Sequence, residues 1–186
     1  MLERKLGLAA LNSRLLLKGI LMNIQEIKKN RIEPFNVDDI RLIKLFSFFL
    51  SSAPTIDSQT AAVLDENRLA HNWNNYIQSI NQKNRIIISP NTQIEKYLEK
   101  YELSGESKIS RRQKGFVCKR KDKHETDYQC VLRHIRNAIA HSNIFLSNAG
   151  NRKYIYLEDF NQSKNQSAAM LFSQADLMRL KKEIMK

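Results

Sequence analysis

The segment at 125–142 constrains the fold more than any other part of this 186-residue chain. Stepping about 100° per residue places six apolar side chains on one helical face. These are Tyr128, Val131, Leu132, Ile135, Ala138 and Ile139. The opposite face carries Arg133, His134, Arg136, Asn137, Ala140 and His141. The first face must be covered by a core, and the second is an unusually polar set from which function can be argued.

Apolar spacing elsewhere predicts further helices. A first helix ends near Lys29, a second covers 37–50, a third is capped by Asp57 and runs to Ile80, and a fourth surrounds Tyr97. Ser173 is placed to cap a last helix. The β-branched run 86–88 is short.

After Asn143 the period changes to that of strands. Residues 144–146, 154–157 and 169–172 are β-type segments joined by Asn-rich turns. The pattern therefore predicts a mainly α fold, a helical bundle with a small C-terminal antiparallel β-sheet and a final helix. We expect one domain over 1–186: bundle 1–103, basic loop 104–124, helix 125–142, sheet 143–172 and C-terminal helix 173–186.

The cysteine count and the N-terminal segment bear on the compartment. Only Cys118 and Cys130 are present, which argues against a disulfide scaffold and favours a reducing environment. The leucine-rich stretch 6–22 is interrupted by Arg14 and Lys18, which favours an amphipathic helix over a signal peptide or a membrane span. We expect a soluble, cytoplasmic protein.

Positive charge is concentrated in the stretch 104–124. It carries eight basic residues against two acidic ones, which is half of the chain's net charge of +12. Such a cluster attracts polyanions by releasing their counterions. A solvated loop that only aids solubility would look the same, so charge alone leaves both interpretations open.

Spacing decides which polar residues of the 125–142 helix can cooperate. Asn137 and His141 are four residues apart and lie one above the other. Arg136 and His141 are five apart, about 140° around an ideal helix, so they flank the polar face. They become a useful pair if the helix ends near His141 or if a second copy packs against Ala140.

The run Arg136-Asn137-Ala138-Ile139-Ala140-His141 resembles the R-x4-6-H signature of the HEPN superfamily. The polar residue after the arginine, the long amphipathic helix and the downstream sheet are similar to one branch, small stand-alone members from bacterial plasmids and mobile elements. The resemblance covers roughly residues 125–186. Some HEPN toxins extend the motif to R-x4-H-x-Y, and here Asn143 stands at the tyrosine position.

The resemblance implies a metal-independent endoribonuclease, a homodimer whose two motifs face each other in a basic cleft, acting as a toxin or defence effector. It implies RNA as substrate, a possible antitoxin or regulatory partner, no cofactor and no membrane. His141 would carry the acid–base role, because RNA supplies its own 2′-OH nucleophile and histidine titrates near neutral pH. Arg136 would stabilise charge on the phosphoryl oxygens, and Asn137 would orient His141 or bind phosphate.

RNA contacts are expected from the basic loop and from the motif helix. The candidates are Arg111, Arg112, Lys114, Lys119, Arg120, Lys121, Arg133 and His134. For Arg133 and His134 we favour supporting charge or dimer contacts over catalysis. The spacing of Cys118, His124, Cys130 and His134 lacks the close cysteine pair of usual zinc sites, so we expect no metal.

Other interpretations stay open. His141 could interact only with the helix dipole, Arg136 could be an ordinary salt-bridge residue, and Asn137 could be solvent-exposed. At the level of the whole protein, the alternatives are a non-catalytic HEPN module that binds RNA or nucleotides or regulates a partner, and a helical protein whose charge serves DNA or an acidic partner.

Overall fold

The computed structural model describes residues 23–53, 65–80, 84–105, 115–147 and 153–186. Within these ranges helices and strands are interspersed. Their order is α1 (Ile24–Lys28), β1 (Arg31–Ile32), α2 (Ile40–Ser51), α3 (Glu66–Ser79), β2 (Asn84–Ile88), α4 (Glu95–Lys100), β3 (Gly115–Lys119), α5 (Asp127–Ala140), β4 (Ile144–Ser147), β5 (Tyr154–Phe160), β6 (Gln166–Ser173) and α6 (Gln174–Ile184).

All six strands belong to one mixed sheet, in the order β1-β4-β5-β6-β3-β2. The β2–β3 pair is parallel and the other pairs are antiparallel. The predicted mainly α fold with only a small C-terminal antiparallel sheet is therefore wrong. The predicted strands are present as β4, β5 and β6, but half of the sheet comes from earlier in the chain.

The strand that sequence reasoning missed most clearly is β3, which falls inside the predicted basic loop. Its centre is buried on both faces: Phe116 and Cys118 enter one core, and Val117 enters the other. A strand covered on both sides shows no alternation of apolar and polar residues. Its three apolar residues are followed directly by Lys119-Arg120-Lys121, so charge masked the signal. Residues 106–114 of that loop lie outside the described residues.

Two layers of helices cover the sheet. The larger core lies between one face and α2, α3, α5 and α6, and the smaller core lies between the other face and α1 and α4. Side chains of β5 alternate between the two cores: Ile155 and Leu157 face the larger one, and Tyr154 and Tyr156 the smaller. Helix α5 packs against both β5 and α2. Helix α5 is therefore fixed between the sheet and a neighbouring helix.

Several helix ends agree with the sequence predictions. Helix α1 ends at Lys28, and Ser173 caps α6 by accepting a hydrogen bond from Asp176 N at 3.2 Å. The start of the third helix differs from the prediction, because helix α3 begins at Glu66 with Asp65, and not Asp57, as its N-cap. The predicted cap Asp57 and the start of the first helix lie outside the described residues.

Parallel pairing of β2 with β3 depends on a glycine. Gly115 pairs with Asn84 at a φ of +152°, and a Cβ atom there would lie 1.9 Å from the backbone oxygen of Asn84. No other residue type fits that contact without a backbone shift. In the described ranges no helix has the length and apolar character needed to cross a membrane.

Candidate active site at the end of helix α5

Helix α5 is held in place by its apolar face. All six residues predicted for that face are buried, with Val131, Leu132, Ile135 and Ala138 fully inaccessible. At the N-terminus the side chain of Gln129 accepts a hydrogen bond from Thr126 N at 2.9 Å, which satisfies one of the free amides of the first turn. The polar face is therefore presented by a fixed helix.

The helix stops at the end of the motif. His141 is the C-cap, and Ser142 adopts a left-handed conformation with φ of 53°. Ser142 N donates to Ile139 O at 3.1 Å, and Asn143 N donates to Ala138 O at 2.8 Å. These two bonds form a Schellman motif, which turns the chain away from the helix axis. As a result His141 lies exposed at the helix end.

A distant arginine holds this end. Arg31 Nε donates to Ser142 O at 2.8 Å, and Arg31 Nη2 donates to His141 O and to Asn143 Oδ1, each at 3.2 Å. A cation at this position stabilises the negative end of the helix dipole. Asn143, at the position where some HEPN toxins carry tyrosine, thus accepts a bond from Arg31. The sequence contained no signal for this contact, because the two partners are more than 100 residues apart.

The other two motif residues are fixed by different partners. Arg136 is half-buried, and its Nε donates to Leu50 O at the end of α2, at 3.2 Å. Asn137 Nδ2 donates to Asp159 Oδ2 of β5 at 3.1 Å. His141 follows Asn137 by one helical turn, and its backbone N–H donates to Asn137 O at 2.9 Å. Asn137 and His141 are therefore one turn apart on the helix, with the Asn137 side chain held by Asp159, while Arg136 faces the end of α2.

A buried ion pair joins the middle of α5 to Glu125, which lies just before the helix. Arg133 binds Glu125 with both ends of its fork, Nε to Oε1 at 2.6 Å and Nη2 to Oε2 at 2.9 Å. The Glu125 side chain is inaccessible, and that of Arg133 is 13% exposed. Burial opposes ionisation of Glu125, but the bonds from Arg133 and from Lys121 N outweigh it, so the pKa of Glu125 is lowered.

His134 is part of the same buried region. Its side chain is fully inaccessible, with Nδ1 2.7 Å from Asp159 Oδ2 and Nε2 2.8 Å from the carbonyl oxygen of Lys119. Asp159 therefore contacts both His134 and Asn137 through one oxygen, while its Oδ1 accepts from Phe160 N at 2.9 Å. This placement favours a supporting role for Arg133 and His134 over direct contact with RNA.

Of the basic-loop residues predicted to contact RNA, Arg120 and Lys121 lie near the N-terminus of α5. Arg120 binds Asp127 and the backbone oxygen of Glu125, and Lys121 is exposed. Lys119 is half-buried at the end of β3. Since α5 spans 14 residues, this basic end lies about 20 Å along the helix from His141. Arg111, Arg112 and Lys114 lie outside the described residues.

Sequence reasoning missed two carboxylates of this region, Glu125 and Asp159. Glu125, just before the helix, left no signal in the sequence that distinguishes it from a surface carboxylate. Asp159 did leave a signal, because Glu158-Asp159 is an acidic pair inside the otherwise apolar strand β5, and buried carboxylates require partners.

Cys118, His124, Cys130 and His134 are the potential metal ligands of this region. Among the residues that the structure describes, no group of three or more His, Cys, Asp and Glu side chains is arranged to hold a metal ion. Cys118 and Cys130 are buried free cysteines, and burial raises the pKa of both thiols.

Comparison with known protein families finds a match. The family model described as HEPN pEK499 p136 matches residues 8–186, nearly the whole chain. Comparisons with curated proteins and with solved structures gave no match. The R-x4-H run that suggested the superfamily lies inside the matched region, at the exposed end of α5. The chain therefore belongs to the HEPN superfamily, in the family that this model describes.

Proposed function

We propose that this protein is a metal-independent endoribonuclease that cleaves single-stranded RNA at the end of α5. The observation that carries the proposal is the exposure of His141 at a helix end that Arg31 and a Schellman motif hold in place. HEPN proteins are often ribonucleases or toxins, which agrees with this assignment. As a general acid–base, an imidazole needs both this access to substrate and a fixed position.

In the proposed reaction His141 accepts the proton of the ribose 2′-OH. The 2′-oxygen attacks the neighbouring phosphorus, the bond from phosphorus to the 5′-oxygen breaks, and that oxygen leaves with the proton that His141 has taken up. The products are a 2′,3′-cyclic phosphate and a 5′-OH end. RNA supplies the nucleophile, so the protein has to move protons and stabilise charge.

Arg136 would supply the charge stabilisation. Its Nε is bound to Leu50 O, which orients the guanidinium plane, and neither Nη atom takes part in that bond. Two parallel N–H groups match two phosphoryl oxygens as negative charge builds on them. Asn137, held by Asp159, would orient His141 or bind phosphate.

The distance between the two ends of α5 bears on how RNA would bind. Arg120 and Lys121 lie near the N-terminus of α5 and His141 lies at its C-terminus, about 20 Å away along the helix. A bound strand would have to run along the helix, or a second copy would have to bring its basic end to this His141. We propose the homodimer, with the two motifs facing each other across the small exposed residue Ala140. A role as toxin or defence effector, with an antitoxin or regulatory partner, belongs to the same proposal.

The test is cleavage of 5′-labelled single-stranded RNA in excess EDTA by the wild type, His141→Ala, Arg136→Ala and His71→Ala. His71 is an exposed histidine on α3 and serves as the matched control. We expect wild type and His71→Ala to leave 2′,3′-cyclic phosphate ends, and His141→Ala to lose roughly 10²- to 10⁴-fold in rate. RNA affinity of His141→Ala should stay close to that of the wild type.

Four results would contradict the proposal. An equal loss of cleavage rate in His71→Ala would mean that His141 has no specific catalytic role. Cleavage that stops with EDTA and returns with a divalent cation would remove metal independence. RNA binding without cleavage of any substrate would favour a non-catalytic binding module, and equal affinity for DNA would favour a general polyanion-binding protein.

A further inference from the structure

An open groove lies beside the end of α5. It has a volume of about 770 Å³ and is lined by residues 31–36 on one side and by Ser142 on the other. Ser142 directly follows His141, so the groove begins within one residue, 3.8 Å of backbone, of the proposed catalytic histidine. The groove is therefore close enough to hold the nucleotide next to a scissile phosphate at His141.

A tight turn presents an aromatic ring to the groove. Asn36 N donates to Glu33 O at 3.1 Å, closing a turn in which Pro34 is the second residue and is buried. Proline fixes the backbone at that turn position, so the next residue, Phe35, is held with little freedom. Phe35 is 49% exposed. An exposed phenylalanine is ordinary by itself, but this one lines a groove that reaches the motif.

The same segment carries a suitable cation. Arg31 is exposed and binds the end of α5 through Nε and Nη2, and its Nη1 takes part in none of those three bonds. Glu33, also exposed on the lining, would repel phosphate. Charge therefore directs a phosphate towards Arg31 and leaves the ring of Phe35 for an uncharged group.

We infer that this groove is a nucleobase subsite, in which an unpaired RNA base next to the scissile phosphate stacks on Phe35 while Arg31 contacts the adjoining phosphate. This inference rests on the proposed function and names the part of the substrate held beside His141. Proteins bind single-stranded RNA by stacking its bases on aromatic rings, which duplex RNA does not allow.

The test measures affinity by fluorescence anisotropy with a fluorescein-labelled single-stranded RNA, with His141→Ala as the background so that no cleavage occurs. Phe35→Ala and Phe35→Leu remove the aromatic face, Phe35→Trp keeps it, and Met178→Ala removes an equally exposed apolar side chain on α6. We expect Phe35→Ala and Phe35→Leu to bind roughly 5- to 100-fold more weakly. Phe35→Trp and Met178→Ala should bind as the background does, and Glu33→Gln should bind more tightly.

Two outcomes would overturn the subsite. Unchanged affinity in Phe35→Leu would show that no base stacks there. A shift of Phe35→Ala to a smaller species in sedimentation, with affinity restored at high protein concentration, would assign the ring to an interface between copies. Because anisotropy does not require turnover, Phe35-dependent binding without wild-type cleavage would refute the proposed enzyme and keep the subsite. Cleavage with a kcat/KM that does not change in the Phe35 variants would refute the subsite and keep the proposed enzyme.

Discussion

Helix α5 carries two histidine–arginine sets that differ in almost every physical respect. Arg133 and His134, in its middle, are paired with Glu125 and Asp159 and are almost or fully inaccessible. Arg136 and His141, towards its end, contact backbone oxygens or solvent. The residue types are the same and the helix is the same. Their surroundings differ because β3 and β5 cover the first set, and the chain turns away from the second.

The comparison teaches that a polar helix face need not be a functional face throughout. Removing one partner of a buried charge pair strongly lowers the free energy of unfolding, because the remaining charge has no water around it. An exposed histidine contributes little to folding but stays available to a substrate. We therefore expect stability to depend on the first set and activity on the second.

The largest effect on stability should come from Glu125→Ala. It leaves Arg133 buried without its carboxylate, which costs about 3–5 kcal/mol in the free energy of unfolding. The matched control is Asp127→Ala, which removes the carboxylate that binds Arg120. The Asp127 side chain is 53% exposed, so its loss should cost about 1 kcal/mol or less. Urea denaturation followed by circular dichroism measures both. Similar losses in the two variants would remove the contrast between buried and exposed pairs.

A smaller effect is expected from Asp159→Asn. Asp159 accepts with both oxygens, one facing His134 and Asn137 and the other facing Phe160 N. An amide has one acceptor oxygen, so one of these donors would face another donor, at a cost of about 1–3 kcal/mol. The same change should slow RNA cleavage if the orientation of Asn137 matters.

Glu158→Gln is the control for that variant. Glu158 is the buried neighbour on the other face of β5, and its Oε1 alone accepts from Lys28, Tyr156 and Gln166, so glutamine keeps the acceptor. It should lower stability less and leave the rate of RNA cleavage unchanged. A rate loss in Glu158→Gln equal to that in Asp159→Asn would mean that Asp159 acts only through stability.

The smallest change in stability is expected from His141→Ala. The side chain is exposed, and its interaction with the helix end is worth about 1 kcal/mol at most. Thermal and urea unfolding should therefore resemble those of the wild type, although cleavage is lost. A destabilisation comparable to that of Glu125→Ala would assign His141 to the fold instead of the reaction.

Part of the fold could be read from local patterns. The buried face of α5, the ends of α1 and α6 and the strands β4, β5 and β6 all follow from side chains close in sequence. The β3 strand could not be found that way, because its three apolar residues, buried on two faces, have neither helical nor alternating period. Its partners, Asn84 to Ile88 and Ala168 to Leu171, are distant in the chain.

The candidate site, too, could be predicted only in part from the sequence. By itself the sequence determined the motif, its place on an amphipathic helix and the family. Only the tertiary structure decided that Arg133 and His134 are buried by Glu125 and Asp159, and that Arg31 holds the end of α5. Periodicity reports contacts between residues a few positions apart, whereas these partners come from other strands and loops. Which polar side chains remain exposed for chemistry is settled when the sheet packs against the helix.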